Sequence, residues 1–302
     1  MKTNYSEAQI EKLIMKHYSN IANLESLSGG LVSQTFFFQS GDSRYVFQIG
    51  DRHEDYEKQH YIFSKFGKAI PVREVVGVHQ TEDGAAYCFS NYIEGRKLFD
   101  LSDDERRETA EPVISVLLRM SEVELPVDSG YGRFDANGKA PYETWHDYIA
   151  AIYNDKVYDW SLLSNKNFND MAVPKAIDEL AKNIQFAQID KAYLVNGDAG
   201  SYNIIAFDGQ ITGLIDCGSA LYGDPLYCMA NLLFWNEDKL HYLISLVKQR
   251  YYTDEYNKQK LYCYALRIGL EEIYNTVILN EIGYDISWVN NRLEEIVMHG
   301  LQ

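Results

Sequence analysis

The chain has 302 residues, 46% of them hydrophobic, which is enough for a sizeable core in one large domain or two of medium size. Its net charge of −16 argues against nucleic acid as a partner, since phosphate backbones are bound through an excess of Lys and Arg. No apolar run approaches the roughly 18–20 residues of a bilayer span, and Met1-Lys2-Thr3-Asn4-Tyr5-Ser6 has no signal-peptide core, so a cytoplasmic, monomeric protein without a membrane partner is expected.

The acid excess is uneven. Residues 1–95 hold 9 Lys and Arg against 12 Asp and Glu, and the remainder holds 19 against 32. An acidic cleft for a small cationic substrate and a solvated acidic surface fit this equally. Cys88, Cys217, Cys228 and Cys263 form no C-x-x-C pair, so free buried or half-buried thiols are expected; Cys217, next to Asp216, reads as a packing residue.

Along the chain, residues 6–18 read as an amphipathic helix with Ser6 as N-cap and Ile10, Leu13 and Ile14 at helical spacing. A strand-rich stretch follows, with a Gly-containing turn at 28–33, a second turn at Gly41-Asp42, and a strand over 44–49. A helix over 56–66 and strands over 72–79 and 86–92 complete a small sheet lobe. After Glu94-Gly95 the chain turns helical, with candidates at 106–120, 145–153, 174–186, 227–235, 239–251, 254–279 and 286–298. The expected fold is therefore α+β and bilobal, with a nucleotide-binding lobe over 1–94 and a catalytic, substrate-binding lobe over 95–302.

Within the helical part, Ala192-Tyr193-Leu194-Val195 is a short apolar run entering the loop Asp198-Ala199-Gly200-Ser201-Tyr202-Asn203. Ile204-Ile205-Ala206-Phe207 and Gln210-Ile211-Thr212-Gly213-Leu214-Ile215 flank Asp208-Gly209, a strong hairpin signal. The hairpin would return Asp216 to the side of Asn203. Phosphoryl transfer needs this set. The group in flight carries spread negative charge, so catalysis is mostly positioning and charge neutralisation. One carboxylate accepts the hydroxyl proton, while an Asn oxygen and a second carboxylate suit Mg²⁺, which takes few protein ligands.

The chain resembles the aminoglycoside phosphotransferase family over nearly its whole length. The resemblance is carried by Tyr142-Glu143-Thr144-Trp145-His146-Asp147-Tyr148-Ile149, Val157-Tyr158-Asp159-Trp160, Tyr222-Gly223-Asp224-Pro225-Leu226-Tyr227, Ala230-Asn231-Leu232-Leu233-Phe234-Trp235 and Leu266-Arg267-Ile268-Gly269-Leu270. It implies a protein-kinase-like fold, ATP or GTP with Mg²⁺ as cofactors, and transfer of the γ-phosphoryl group to a hydroxyl of an aminoglycoside or aminocyclitol antibiotic. It implies Asp198 as base and Asn203 and Asp216 as metal ligands. It also implies a phosphate loop containing Ser28, Gly29, Gly30 and Ser33, and a hinge of Ser90, Asn91, Tyr92 and Ile93. Val46, Val75 and Ile215 flank the purine in this reading, and fit plain core equally.

Two positions depart from the family pattern. Asn196 stands where the family has His two residues before the base, and it can donate and accept as well. Gln48 stands where a strand Lys holds the phosphates; its helix partner would be Glu57, or Gln59 if the register slips. Gln supplies no charge. Either Arg52 or Lys58 substitutes, or turnover is slow, or transfer is lost. On the acceptor side the candidates are Asp159, Glu237, Asp238, Glu271 and Glu272, with Trp235, Tyr274 and Trp160 as surfaces. Two further readings stay open: a kinase for another small-molecule hydroxyl, and a degenerate kinase fold that only binds ligand.

Overall fold

The computed structural model describes residues 4–27, 33–166, 168, 172–281 and 285–301. They group into two compact units, one made of Met1–Asp100, Asp135–Gly138 and Tyr202–Gly218, the other of Leu101–Phe134, Lys139–Ser201 and Ser219–Gln302.

The first unit is built on an antiparallel sheet with strand order β1-β2-β3-β5-β4, formed by β1 (Ile21–Leu27), β2 (Gln34–Ser40), β3 (Ser43–Gly50), β4 (Val75–Gln80) and β5 (Ala86–Asn91). Helix α1 (Glu7–Met15) opens with a capping box between Ser6 and Gln9 and buries Ile10, Leu13 and Ile14. That stripe packs on Phe36 and Phe38 of β2, Phe47 and Ile49 of β3, and Tyr87 and Phe89 of β5. The alternate residues of β5, Ala86 and Cys88, face the other way and pack with Val75 and with Tyr56 of α2 (His53–Phe66). With a helix on each face, β5 is buried at five consecutive positions, as a central strand should be.

The same unit holds a second sheet, order β10-β9-β6, from β6 (Arg96–Lys97), β9 (Ile204–Phe207) and β10 (Gln210–Leu214).

The second unit is helical around α8 (Glu255–Ile273), which is buried nearly all round from Lys260 onward. Helices α5 (Ala172–Asn183), α6 (Leu226–Trp235) and α9 (Ile286–His299) pack on it. Gly269, the only helix breaker in this span, is required by packing: a Cβ there would lie 2.7 Å from Phe234 of α6 and 3.0 Å from Leu293 of α9. Three further helices are α3 (Asp103–Met120), α4 (Trp145–Ala150) and α7 (His241–Tyr251). A small sheet in this unit has order β7-β11-β8, from β7 (Gly132–Arg133), β8 (Tyr193–Val195) and β11 (Leu221–Gly223).

Departures from the sequence expectation concern helix ends. Helix α3 starts at Asp103, before the expected 106, because Ser102 and Glu105 form a capping box over an acidic first turn. The expected helix over 254–279 is α-helical only to Ile273 and widens into a π-turn over Tyr274–Ile278. There Tyr274 is wedged against Tyr158 and Trp160, with ring centroids 4.7 and 5.2 Å away.

Candidate active site

The hairpin of the D-x4-N…D pattern forms as its residues dictate. Asp208 and Gly209 take φ of 51° and 71°, the left-handed pair of a tight two-residue turn. Pairing Leu214 with Ile204 brings the Ile215 N–H to the Asn203 carbonyl at 2.9 Å, so Asp216 follows directly after a residue bonded to Asn203. Asp216 itself has φ 56°, a left-handed conformation uncommon outside Gly, Asn and Asp. The residue is exposed, though protein atoms crowd around its carboxyl group. Desolvation raises its carboxyl above the ordinary aspartate range; Arg73 and Arg52 oppose this and Asp55 adds to it.

These two oxygen donors fit the small protein share that Mg²⁺ takes, and a desolvated carboxylate is a group that a dication would stabilise in its charged form. Among the described residues no group of three or more His, Cys, Asp and Glu side chains is gathered for a metal.

A bulge at Thr212 lets its hydroxyl donate to the Glu94 carbonyl at 2.8 Å. The missing side chain of Gly213 makes room for Ile93, whose Cδ1 would lie 2.5 Å from a Cβ there. The hinge segment is thereby tied to β10. Within it, the Asn91 N–H is bonded to the Glu74 carbonyl at 3.0 Å and the Tyr92 N–H to the Arg44 carbonyl at 3.0 Å. Both N–H groups are thus engaged within the protein. Ser90 is buried in β5 between Val46 and Val75, both themselves buried, while Ile215 is half-buried.

In the second unit, β8 delivers the loop that carries Asp198. The Asn196 side-chain oxygen accepts the Asp198 N–H at 2.8 Å, the architectural duty expected of it. Gly197 has no room for a side chain, since a Cβ would meet the Ser219 carbonyl at 2.1 Å. The Ser201 N–H donates to Glu237 Oε2 at 3.0 Å, and the Ser201 hydroxyl donates to the other carboxylate oxygen. Glu237 therefore clamps the loop. Burial, reinforced by the Asp198 carboxylate, pushes the neighbouring Cys228 thiol up to about 12. All four cysteines are buried and form no disulfide, and Cys217 packs in the interior.

Of the expected phosphate loop, Ser28, Gly29 and Gly30 lie outside the described residues. Ser33 is buried and bonded to Tyr56. Gln48 is half-buried on β3 and accepts from Arg73 Nη2 at 2.5 Å; Gln59 on α2 accepts from the same nitrogen at 3.1 Å. Glu57 is not the partner: it is exposed and sits 3.4 Å from His53, one turn back on the same helix. The register follows the Gln59 alternative. Arg52 is 3.7 Å from Asp55 at the surface, and Lys58 is buried on α2. Arg73 escaped the sequence reading because it lies 25 positions from Gln48 and comes from a segment outside the motif.

The acceptor-side candidates divide. Glu271 is buried between Arg133 (3.2 Å) and Arg267 (3.3 Å) and accepts from Tyr158 Oη at 3.3 Å. Burial alone would raise its carboxyl, but the two guanidinium groups hold it down at about 2. Its charge is thus consumed internally, which corrects its assignment to a substrate. Asp159 caps the short 3-10 helix Trp160–Asn165 by accepting from Ser161, and its N–H donates to the buried Tyr274 hydroxyl at 3.1 Å. Trp235 stacks on Trp288, centroids 5.5 Å apart. Glu272 is half-buried and accepts from Thr276 at 3.3 Å, and Asp238 is exposed.

The segments that carried the family resemblance hold this unit together. Asp224 accepts from Lys260 at 2.7 Å and from Tyr264 at 2.9 Å, and Tyr264 accepts from Trp145 at 2.8 Å.

The profile of the phosphotransferase enzyme family matches residues 23–258. The hygromycin-B 4-O-kinase of Escherichia coli is 28% identical over 305 aligned positions, covering 99% of this chain and 87% of that protein. A thermostable mutant of aminoglycoside phosphotransferase APH(4)-Ia, solved in ternary complex with AMP-PNP and hygromycin B, superposes with a TM-score of 0.86 at 30% identity, covering 96% of this chain and 98% of that one. The GDP complex of an aminoglycoside 2'-phosphotransferase, at 16% identity and a TM-score of 0.68 over 97% of this chain and 99% of that one, shares the fold. No helix among the described residues is long and apolar enough to cross a membrane. Given the hairpin, the loop and these likenesses, the chain belongs to the phosphotransferase enzyme family and has the protein-kinase-like fold of the aminoglycoside phosphotransferases.

Proposed function

We propose that this protein transfers the γ-phosphoryl group of ATP or GTP to a hydroxyl of hygromycin B or a closely related aminocyclitol, inactivating the antibiotic. The observation that carries this reading is the near full-length match to a hygromycin-B 4-O-kinase, joined to a solved relative that binds AMP-PNP and hygromycin B.

In this reading Asp198 is the base. The acceptor hydroxyl oxygen forms the new bond to the γ-phosphorus, the bond from that phosphorus to the bridging oxygen breaks, the hydroxyl proton goes to Asp198, and the nucleoside diphosphate leaves. Asn203 and Asp216 would hold Mg²⁺, which when bound supplies charge neutralisation at the phosphates. Ser33 would serve the phosphates, and Ile93 and Ile215 the purine. Asn196 and Glu237 fix the loop so that Asp198 is placed before substrate arrives, which is the chief protein contribution where little covalent chemistry is needed. Asp238, Glu272 and Trp235 are the remaining acceptor-side candidates.

The test is incubation with ATP or GTP, Mg²⁺ and a panel of hygromycin B and other aminocyclitols, aminoglycosides and small alcohols, read by mass spectrometry of the acceptor. Phosphorylated hygromycin B supports the reading. Turnover confined to another acceptor replaces the substrate and keeps the reaction class, and nucleotide binding without turnover on any acceptor overturns the reaction.

A further inference from the structure

Gln48 leaves the strand position that would carry a phosphate-binding Lys uncharged, and the fold brings a different cation to it. Arg73 is 7% exposed. Its Nη2 donates to the side-chain oxygens of both Gln48 and Gln59, at 2.5 and 3.1 Å. Its backbone is pinned to the hairpin: the Arg73 N–H donates to the Leu214 carbonyl at 3.0 Å, and the Leu214 N–H donates to the Pro71 carbonyl at 2.7 Å. Leu214 is two residues before Asp216, and the guanidinium is close enough to oppose the rise of the Asp216 carboxyl.

The partners matter by their neutrality. A carboxylate hydrogen-bonded to the cation would form an ion pair with it, whereas two carboxamide oxygens orient the guanidinium without neutralising it. Arg73 Nε is buried without a hydrogen-bond partner among the described residues. An unpartnered charged donor is costly to bury, and an anionic oxygen is the ligand that would relieve it.

We propose that Arg73 is the phosphate-binding cation of the nucleotide site, held by Gln48 and Gln59 and standing in for the strand lysine. The proposal rests on the nucleotide reading above and names the group that contacts the diphosphate.

The test compares ADP with adenosine, by calorimetry in EDTA, so that altered Mg²⁺ binding at the neighbouring Asp216 does not enter. Arg73→Gln should weaken ADP about 10- to 100-fold, the span of one charge-assisted contact, and leave adenosine within about twofold. Arg73→Gln/Gln48→Lys, which returns a cation at the contact, should recover most of the loss. Arg73→Lys keeps a cation without the fork and is the variant least disruptive to folding; it should lose ADP affinity several-fold with adenosine unchanged. Equal losses for ADP and adenosine, or unchanged ADP affinity in Arg73→Lys, would assign Arg73 to the scaffold and overturn the proposal. A wild-type protein that binds neither compound overturns the nucleotide reading itself, and the proposal with it.

Discussion

Glu237 is an acid whose chemistry was visible in the sequence and whose job was not. As an acid of the acidic half it reads as an acceptor contact, but its carboxylate takes both hydrogen bonds offered by Ser201, three residues after Asp198. A clamp on the catalytic loop and a substrate contact separate in kinetics. Glu237→Gln should lower kcat about tenfold or more, at nearly unchanged KM for the acceptor and unchanged melting temperature, because it weakens a charge-assisted bond that places the base. A raised KM at constant kcat would return Glu237 to the acceptor. Asp198, Asn203 and Asp216 stood out as candidates because one loop and one hairpin carry all three, a local pattern that a sequence records. Arg73 and Glu237 were not, because each meets its partner across 25 or 36 positions, and no local pattern records such a contact.

At the scale of elements, short-range chemistry predicted the hairpin through Asp208-Gly209 and the start of α1 through its Ser6 cap, whereas helix interiors show what only packing decides. Glu271 of α8 read as an acceptor-side candidate, yet it is enclosed by Arg133, Arg267 and Tyr158. Because its carboxyl is held at about 2 in the fold and returns to the ordinary Glu range when unfolded, it contributes stability that is complete above the unfolded value and is lost as pH falls toward the folded one. Wild-type stability should therefore decline between about pH 5 and pH 2, followed by denaturant midpoints against pH. Glu271→Gln should be less stable by about 3–5 kcal/mol at neutral pH, since it strands buried Arg267, and should show a shallower acid decline. An acid decline as steep as wild type would contradict this account of the cluster. The end of β11 at Gly223 is equally specific: a Cβ there would fall 2.1 Å from the ring of buried Trp145. Gly223→Ala should cost about 1–3 kcal/mol, seen as a lowered melting temperature, and an unchanged melting temperature would show that Trp145 can move.

For the whole molecule, sheet-then-helix order and the family motifs pointed to the fold, and the comparisons show it. Sequence order is less informative about which segments pack together. The hairpin that carries Asn203 and Asp216 clusters with the sheet unit, and Asp198, five residues earlier, clusters with the helical one. The reaction proposed for the molecule is phosphoryl transfer to an aminocyclitol hydroxyl with Asp198 as its base. Its most direct test is mass spectrometry of hygromycin B after incubation with nucleotide, Mg²⁺ and either wild type or Asp198→Ala. The predicted result is a drug heavier by one phosphoryl group with wild type, formed roughly 10²–10⁴-fold more slowly by Asp198→Ala of unchanged fold. An unmodified drug with wild type, or undiminished transfer by the variant, would contradict it.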